Sequence, residues 1–126
     1  MAEVMHAGVF TCRSNTPITE VARRMVEHDA SALVVTDDQG YLLGVVTRTD
    51  LVTLRAFDEY WIEMSAEHAM VRQVITIPPQ ATIREASRLI VDKTIHRLVV
   101  VQQEGERLRP VGILSQTDIV RDMAQS

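Results

Sequence analysis

The chain has 126 residues, the length of one ordinary domain. Its 46% apolar and 24% charged residues exclude a disordered chain, and a formal charge of −4 with no basic run excludes the electrostatic footprint of a nucleic-acid binder. Aromatic residues make up only 4%, against 17 valines, so the core is aliphatic.

The start, Met1-Ala2-Glu3-Val4, has no basic stretch followed by an apolar run, so no secretory signal is expected and the protein is read as cytoplasmic. A β-rich run, Val9 to Cys12, predicts the first strand. Cys12 is the sole cysteine, which excludes an internal disulfide and a thiolate zinc site and makes it a small apolar filler. Ile18, Val21, Ala22, Met25 and Val26 fall on one helical face, with Thr16 as cap and Pro17 at the first helical position. Two apolar strands follow, Ala32 to Thr36 and Leu42 to Thr47, joined by Asp37-Asp38-Gln39-Gly40; their near-continuous Val/Leu runs predict burial on both faces. A second helix opens near Thr49. Residues 53–69, with Tyr60 and Trp61, read as a connecting helix and linker.

The same order then returns. Val74 to Ile77 predicts a strand, and Ile83, Ala86, Ser87, Ile90 and Val91 a helix opened by the capping box Thr82-Ile83-Arg84-Glu85. Arg97 to Gln102 and Pro110 to Leu114 predict strands, and a last helix opens near Thr117 and carries Met123, assigned with Met25 to the core. The longest uncharged stretch, Gln73 to Ile83, is 11 residues, so no membrane helix is expected. His6, His28 and His68 share no metal-ligand spacing, so no metal is expected.

The return is a repeat. Offset by 65 residues, Met5 to Val35 falls on Met70 to Val100 with ten of 31 positions identical, where about two would coincide by chance. Offset by 68, Gly44-Val45-Val46-Thr47-Arg48-Thr49-Asp50 falls on Gly112-Ile113-Leu114-Ser115-Gln116-Thr117-Asp118. The three extra residues lie between Gln102 and Pro110, where Glu104-Gly105-Glu106 reads as a turn, so the insertion is assigned to a hairpin tip. The expected fold is α+β: two β-α-β-β-α repeats packed sheet to sheet with pseudo-two-fold symmetry. The organisation is a first motif over 1–56, a linker over 57–69 and a second motif over 70–126. A unit of about 60 residues is marginal alone, and the interface of two such repeats offers clefts to a ligand.

The doubled Gly-to-Asp motif lies where a buried strand meets a helix. Free N–H groups at a helix start attract anions, and the Thr47, Thr49, Ser115 and Thr117 hydroxyls can donate or accept. Asp50 and Asp118 accept only, which suits two adjacent ribose hydroxyls and repels phosphate. The same residues also make ordinary helix caps, so the motif leaves both readings open. A second signal is Ile95-His96-Arg97-Leu98 at the mouth of a buried strand, where Arg97 offers a fork of donors and His96 a switchable one; phosphate is their natural partner. The first copy carries Ala30-Ser31-Ala32-Leu33 there. No nucleophile elbow, Gly-rich phosphate loop or His-based triad is present in the sequence, so no catalysis is expected.

With these motifs the chain resembles a tandem pair of cystathionine β-synthase (CBS) domains, a Bateman module, over about residues 4–124. The resemblance rests on Val4-Met5, Ile75-Thr76-Ile77-Pro78, Ile95-His96-Arg97-Leu98, the two Gly-to-Asp motifs and the doubled plan. It implies a stand-alone regulatory module with no tightly bound cofactor. Its regulatory ligand is an adenosine-type molecule: AMP, ADP, ATP or S-adenosylmethionine. It implies that Asp50 and Asp118 hold ribose hydroxyls, that Thr47, Thr49, Ser115 and Thr117 approach ribose or phosphate, that Thr11 and Thr76 frame the base, and that His96 and Arg97 face phosphate. Ala30-Ser31-Ala32 cannot reproduce that last contact, so equal occupancy of the two clefts is not expected. The family also implies a homodimer formed through the helices and an effector protein as partner, with no nucleic acid or membrane. The competing reading is a dimerising interaction scaffold with weak or vestigial ligand sites.

Overall fold

The structure, a computed structural model, describes residues 6–7 and 11–126. The chain divides into two units, one of residues 10–73 and one of residues 1–9 together with 74–126. The first unit holds β2 (Thr11–Arg13), α1 (Ile18–Glu27), β3 (Ala32–Thr36), β4 (Leu42–Thr47), α2 (Arg48–Phe57), a 3-10 turn at Trp61–Glu63 and α3 (Ala66–Ala69). The second holds β1 (His6–Ala7), β5 (Thr76–Ile77), α4 (Ile83–Lys93), β6 (Arg97–Glu104), β7 (Arg107–Ser115) and α5 (Gln116–Ala124). This is the expected α+β architecture, with the β-α-β-β-α order written twice. Among the described residues no helix is long and apolar enough to cross a membrane.

Each unit builds a small mixed sheet. In the first the order is β2-β3-β4, with β2 parallel to β3 and β3 antiparallel to β4. In the second the order is β1-β7-β6-β5, with β5 parallel to β6 and β6 antiparallel to β7. The parallel pairs need a crossover, which α1 and α4 supply. Successive strand side chains alternate between faces. Leu33, Val35 and Val46 therefore join Cys12, Val21 and Met25 in one core, and Leu98, Val100 and Leu114 join Ile77, Ala86 and Ile90 in the other. The opposite faces carry Val34, Val45, Val99 and Val101, which are buried as well, as continuous apolar runs require.

The glycine opening each Gly-to-Asp motif has a packing reason. A Cβ on Gly44 would stand 2.6 Å from the Val71 carbonyl oxygen, because Val71 exchanges two backbone hydrogen bonds with Val45 (2.9 and 3.0 Å). Gly112 occupies the matching place, opposite Ala7 in the β1–β7 pair. The leading segment of each repeat thus adds to the sheet of the other repeat, His6–Ala7 to β7 and Val71 to β4.

Several expectations are revised. Val9 and Phe10 of the first strand, and the Val4-Met5 motif, lie outside the described residues. The strand of the second copy is confined to Thr76–Ile77. Thr16 does not cap α1: its hydroxyl accepts the Arg13 N–H (2.9 Å), and Pro17 itself holds the cap position without a side-chain bond. The Thr82–Glu85 capping box on α4 forms as read. Val26 and Val91, placed on the buried stripes, are 79% and 75% exposed, and Met123 is exposed too. They mark the far edge of the 3.6-residue pattern, where the apolar stripe turns past the core. The repeat insertion lies at the outer end of the β6–β7 hairpin, between Gln102 and Pro110 as read, but as paired strand and not as a longer loop. β6 and β7 have 8 and 9 residues against 5 and 6 in β3 and β4, so both strands lengthen while the connecting loop shortens to Gly105-Glu106, with Gly105 at φ 65°. Pro110 sits beside the register shift at Val100/Val101, where a missing N–H does least harm to the ladder.

Candidate functional site

Each Gly-to-Asp motif ends in a capping box. Asp50 Oδ2 accepts the Thr47 N–H and the Thr47 hydroxyl, both at 2.8 Å, and Thr47 Oγ1 accepts the Asp50 N–H at 3.2 Å. Asp118 Oδ2 accepts the Ser115 N–H at 2.9 Å and its hydroxyl at 3.0 Å, and Ser115 Oγ accepts the Asp118 N–H at 3.2 Å. The capping reading is therefore realised in both copies. It engages one carboxylate oxygen of each aspartate. A carboxylate has about four acceptor sites on two oxygens. Oδ1 of Asp50 takes no hydrogen bond among the described residues, and Oδ1 of Asp118 stands 4.0 Å from Arg121 Nη1. Capping of α2 thus leaves Asp50 a second acceptor oxygen.

The caps also define which donors remain. The Thr47 and Ser115 hydroxyl protons are engaged by the aspartates, so these residues keep only acceptor capacity. The first helical N–H groups, of Arg48 and Gln116, donate to Ser31 O (3.1 Å) and His96 O (3.0 Å). The third positions, Asp50 and Asp118, donate to their caps. That leaves the second positions, Thr49 and Thr117, both exposed, each with a backbone N–H and a hydroxyl at the positive end of a helix.

Strand pairing brings the two sequence signals together in the second unit. Arg97 lies opposite Ser115 in the β6–β7 register, and His96 is bonded through its carbonyl to the start of α5. His96, Arg97, Ser115, Thr117 and Asp118 thus cluster at one junction. In the first unit Ala32 lies opposite Thr47, and Ser31 is bonded to the start of α2, so Ser31, Thr47, Thr49 and Asp50 share the equivalent junction. Thr11 and Thr76 lie apart from these clusters. They pair with Val34 and Val99 on the far side of β3 and β6, about 10 Å across the sheet from the caps. By strand alternation Thr11, Thr47, Thr76, Arg97 and Ser115 all project from the sheet faces opposite the Leu33 and Leu98 cores.

Two residues with a place at these junctions escaped the sequence reading. The Arg48 Nε donates to Ala30 O (3.1 Å), and the Gln116 Nε2 donates to the equivalent Ile95 O (3.1 Å). The first junction therefore holds a guanidinium after all, supplied by α2 instead of by the strand entry. The signal was available: the offset of 68 puts Arg48 over Gln116, in the variable position of the motif. Among the described residues no group of three or more His, Cys, Asp or Glu side chains is placed to hold a metal ion.

The CBS domain family model matches residues 1–56 and 66–125. An uncharacterised protein of Methanopyrus kandleri is 30% identical over 122 residues, which are 96% of this chain and 61% of that protein, so the chain spans less than two thirds of that relative. The crystal structure of the CBS domain pair of protein MJ0100, in complex with 5′-methylthioadenosine and S-adenosyl-L-methionine, superposes with a TM-score of 0.85 at 25% identity, covering 98% of this chain and 94% of that one. The structure of CBSX2 in complex with AMP superposes with a TM-score of 0.83 at 24% identity over 98% of this chain and 94% of that one, a likeness of fold.

Proposed function

Because the chain belongs to the CBS-domain family, we propose that it is a non-catalytic regulatory module whose strand-to-helix junctions bind adenosine-type ligands: AMP, ADP, ATP or S-adenosylmethionine. The observation that carries this reading is the doubled junction. In both units an aspartate spends one oxygen in the cap, beside a threonine exposed at the helix start, and Asp50 Oδ1 takes no hydrogen bond among the described residues. A carboxylate oxygen outside the cap suits a vicinal diol, and the threonine donors suit a ribose or phosphate oxygen. Asp50 and Asp118 would hold the ribose, Thr49 and Thr117 would donate, Thr47 and Ser115 would accept, and His96 and Arg97 would meet phosphate. Thr11 and Thr76, set apart across each sheet, fit a base rather than a ribose. MJ0100 and CBSX2, which share the fold, were crystallised with molecules of this class. Ligand binding would act on an effector protein only as far as the ligand distinguishes two shapes of the module.

The second reading, a dimerising scaffold, is favoured by one observation. Val26 and Val91, and likewise Val52 and Val120, are exposed at equivalent positions of the two repeats. Equivalent apolar positions on outward helix faces suit contact with a second copy.

A thermal-shift series with AMP, ATP, S-adenosylmethionine and adenosine on wild type, Asp50→Ala and Asp118→Ala separates the two. A ligand at 100 times its dissociation constant adds about 2.7 kcal/mol, a rise on the order of 10 °C for a chain of this size. The ligand reading expects such a rise, reduced by at least one of the aspartate variants. No shift with any of the four at millimolar concentration leaves the scaffold.

A further inference from the structure

Thr11 and Thr76 hold the same place in the two units, yet their carbonyls meet different surroundings. β2 and β5 are each the outer strand of their sheet. The Val99 N–H donates to Ile75 O (3.2 Å), so the backbone of Thr76, one residue on, points away from β6 to the open edge. In the first unit the Thr11 carbonyl accepts the Arg24 Nη1 at 2.9 Å, reaching over from α1. The residue matching Arg24 in α4 is Leu89, which has no donor.

The difference starts at the helix caps. In α4 the Glu85 carboxylate is engaged by the Thr82 N–H (3.3 Å). The residue matching Thr82 is Pro17, which has no N–H to offer and makes no side-chain cap. Glu20, which matches Glu85, is thereby released from capping, and it pairs with Arg23 and with Arg24 Nε (3.3 Å). Glu20 thus holds the Arg24 guanidinium by Nε, and Thr11 O holds it by Nη1. Its Nη2 takes no hydrogen bond among the described residues, and the side chain is 37% exposed.

A purine shows one of two faces to such an edge. A 6-aminopurine carries a donor at N6 and an acceptor at N7, whereas a 6-oxopurine carries acceptors at both O6 and N7. A backbone carbonyl suits the amino group. A guanidinium repels it, and meets O6 and N7 with a fork of donors. The Thr76 carbonyl faces its edge with no guanidinium on it among the described residues. At Thr11 the carbonyl is covered and donors stand in its place. The outer strand and the aspartate caps are two strands apart, about 10 Å, a span that a nucleoside bridges from its ribose diol to the edge of its base.

We propose that Arg24 sets the base preference of the first unit and turns it towards 6-oxopurine nucleotides, while the second unit keeps the adenosine class. This rests on the ligand reading above, with ribose at the caps and base at Thr11 and Thr76, and narrows the adenosine class to one of the two sites.

Calorimetry with AMP and with inosine monophosphate, which differ in the base at position 6 and in the N1 proton that goes with it, tests the preference. Wild type should bind each at one site per chain. Asp50→Ala should abolish the inosine site and keep the AMP site, and Asp118→Ala should do the opposite. Arg24→Leu, which installs the second copy's residue, should weaken inosine monophosphate roughly 10- to 100-fold and add a second AMP site. Arg24→Lys keeps the charge without the fork and should weaken inosine monophosphate as well. Circular dichroism controls for the fold. Like affinities for the two nucleotides in Asp118→Ala, or a ratio unchanged by Arg24→Leu, would overturn the preference while leaving adenosine binding intact. So would inosine monophosphate failing to bind where AMP binds. Failure of both to bind wild type would instead overturn the ligand reading itself.

Discussion

Cys12 lies in the middle of β2 with its side chain in the first core, 2% exposed. Burial pushes its thiol up from 9.0 to about 11, partly offset by the Arg24 guanidinium. The unfolded thiol ionises near pH 9 while the folded one stays protonated, so the unfolded state binds fewer protons in that window and stability falls as pH rises. The contribution is fully present below about pH 9 and is lost towards pH 11, amounting to roughly 2–3 kcal/mol. Urea melts at pH 8 and pH 10.5 should differ by about that amount in wild type and by much less in Cys12→Ala, compared within each variant. An equal pH dependence in both would sink the assignment. At this scale the sequence foretold residue type well and hydrogen-bond partners poorly. Cys12 as filler was readable from its β-rich neighbours. The failure of Thr16 to cap was not, because its hydroxyl is claimed by Arg13 N–H, three residues back in the turn. Arg48 escaped for the same reason: its partners, Ala30 O and Asp29, lie at the entry to β3, 18 and 19 residues earlier in the chain.

Elements were legible wherever one buried face dictates a period. The bounds of β3 and β4 match the apolar runs to the residue, and α1 and α4 follow the spacing of Ile18, Val21 and Met25 and of Ala86 and Ile90. What periodicity does not fix is the width of the stripe, hence the exposure of Val26 and Val91. Nor does it fix the form of an insertion, since adding three residues to each strand and removing three from the loop leaves the same alignment as a longer loop. The glycine of the motif is a further case. Gly44 lies in β4 because the Val71 carbonyl approaches where a Cβ would stand. Gly44→Ala should destabilise by about 1–3 kcal/mol, since a backbone atom must shift. Gly105→Ala has open space around it and should cost only about 1 kcal/mol, from left-handed backbone. Chemical denaturation of both gives the order; a silent Gly44→Ala would refute the close approach.

For the whole molecule, the repeats in the sequence and the units in the structure are not the same divisions. The repeat begins at Met5 and again at Met70, yet the leading segment of each copy is paired in the sheet of the other. The identity of Met5 with Met70 showed that the leading segments are alike; it carried no sign of the exchange, because a pairing between distant strands leaves no mark on a local alignment. The consequence is that each sheet depends on chain from both ends of the repeat boundary, although each unit has its own core. Val71→Pro removes the N–H that bonds Val45 O at 2.9 Å. It should cost about 1 kcal/mol or more and raise hydrogen exchange at Val45 and along β4, with β6 and β7 unchanged. His6→Pro, the equivalent substitution in the first copy, should do the reverse, exposing β7 around Gly112 and Ile113 and sparing β4. Mass-spectrometric exchange on the full chain reads both. If either proline raises exchange equally in β4 and β7, the exchanged segments do not stabilise separate sheets and the molecule opens as one cooperative body.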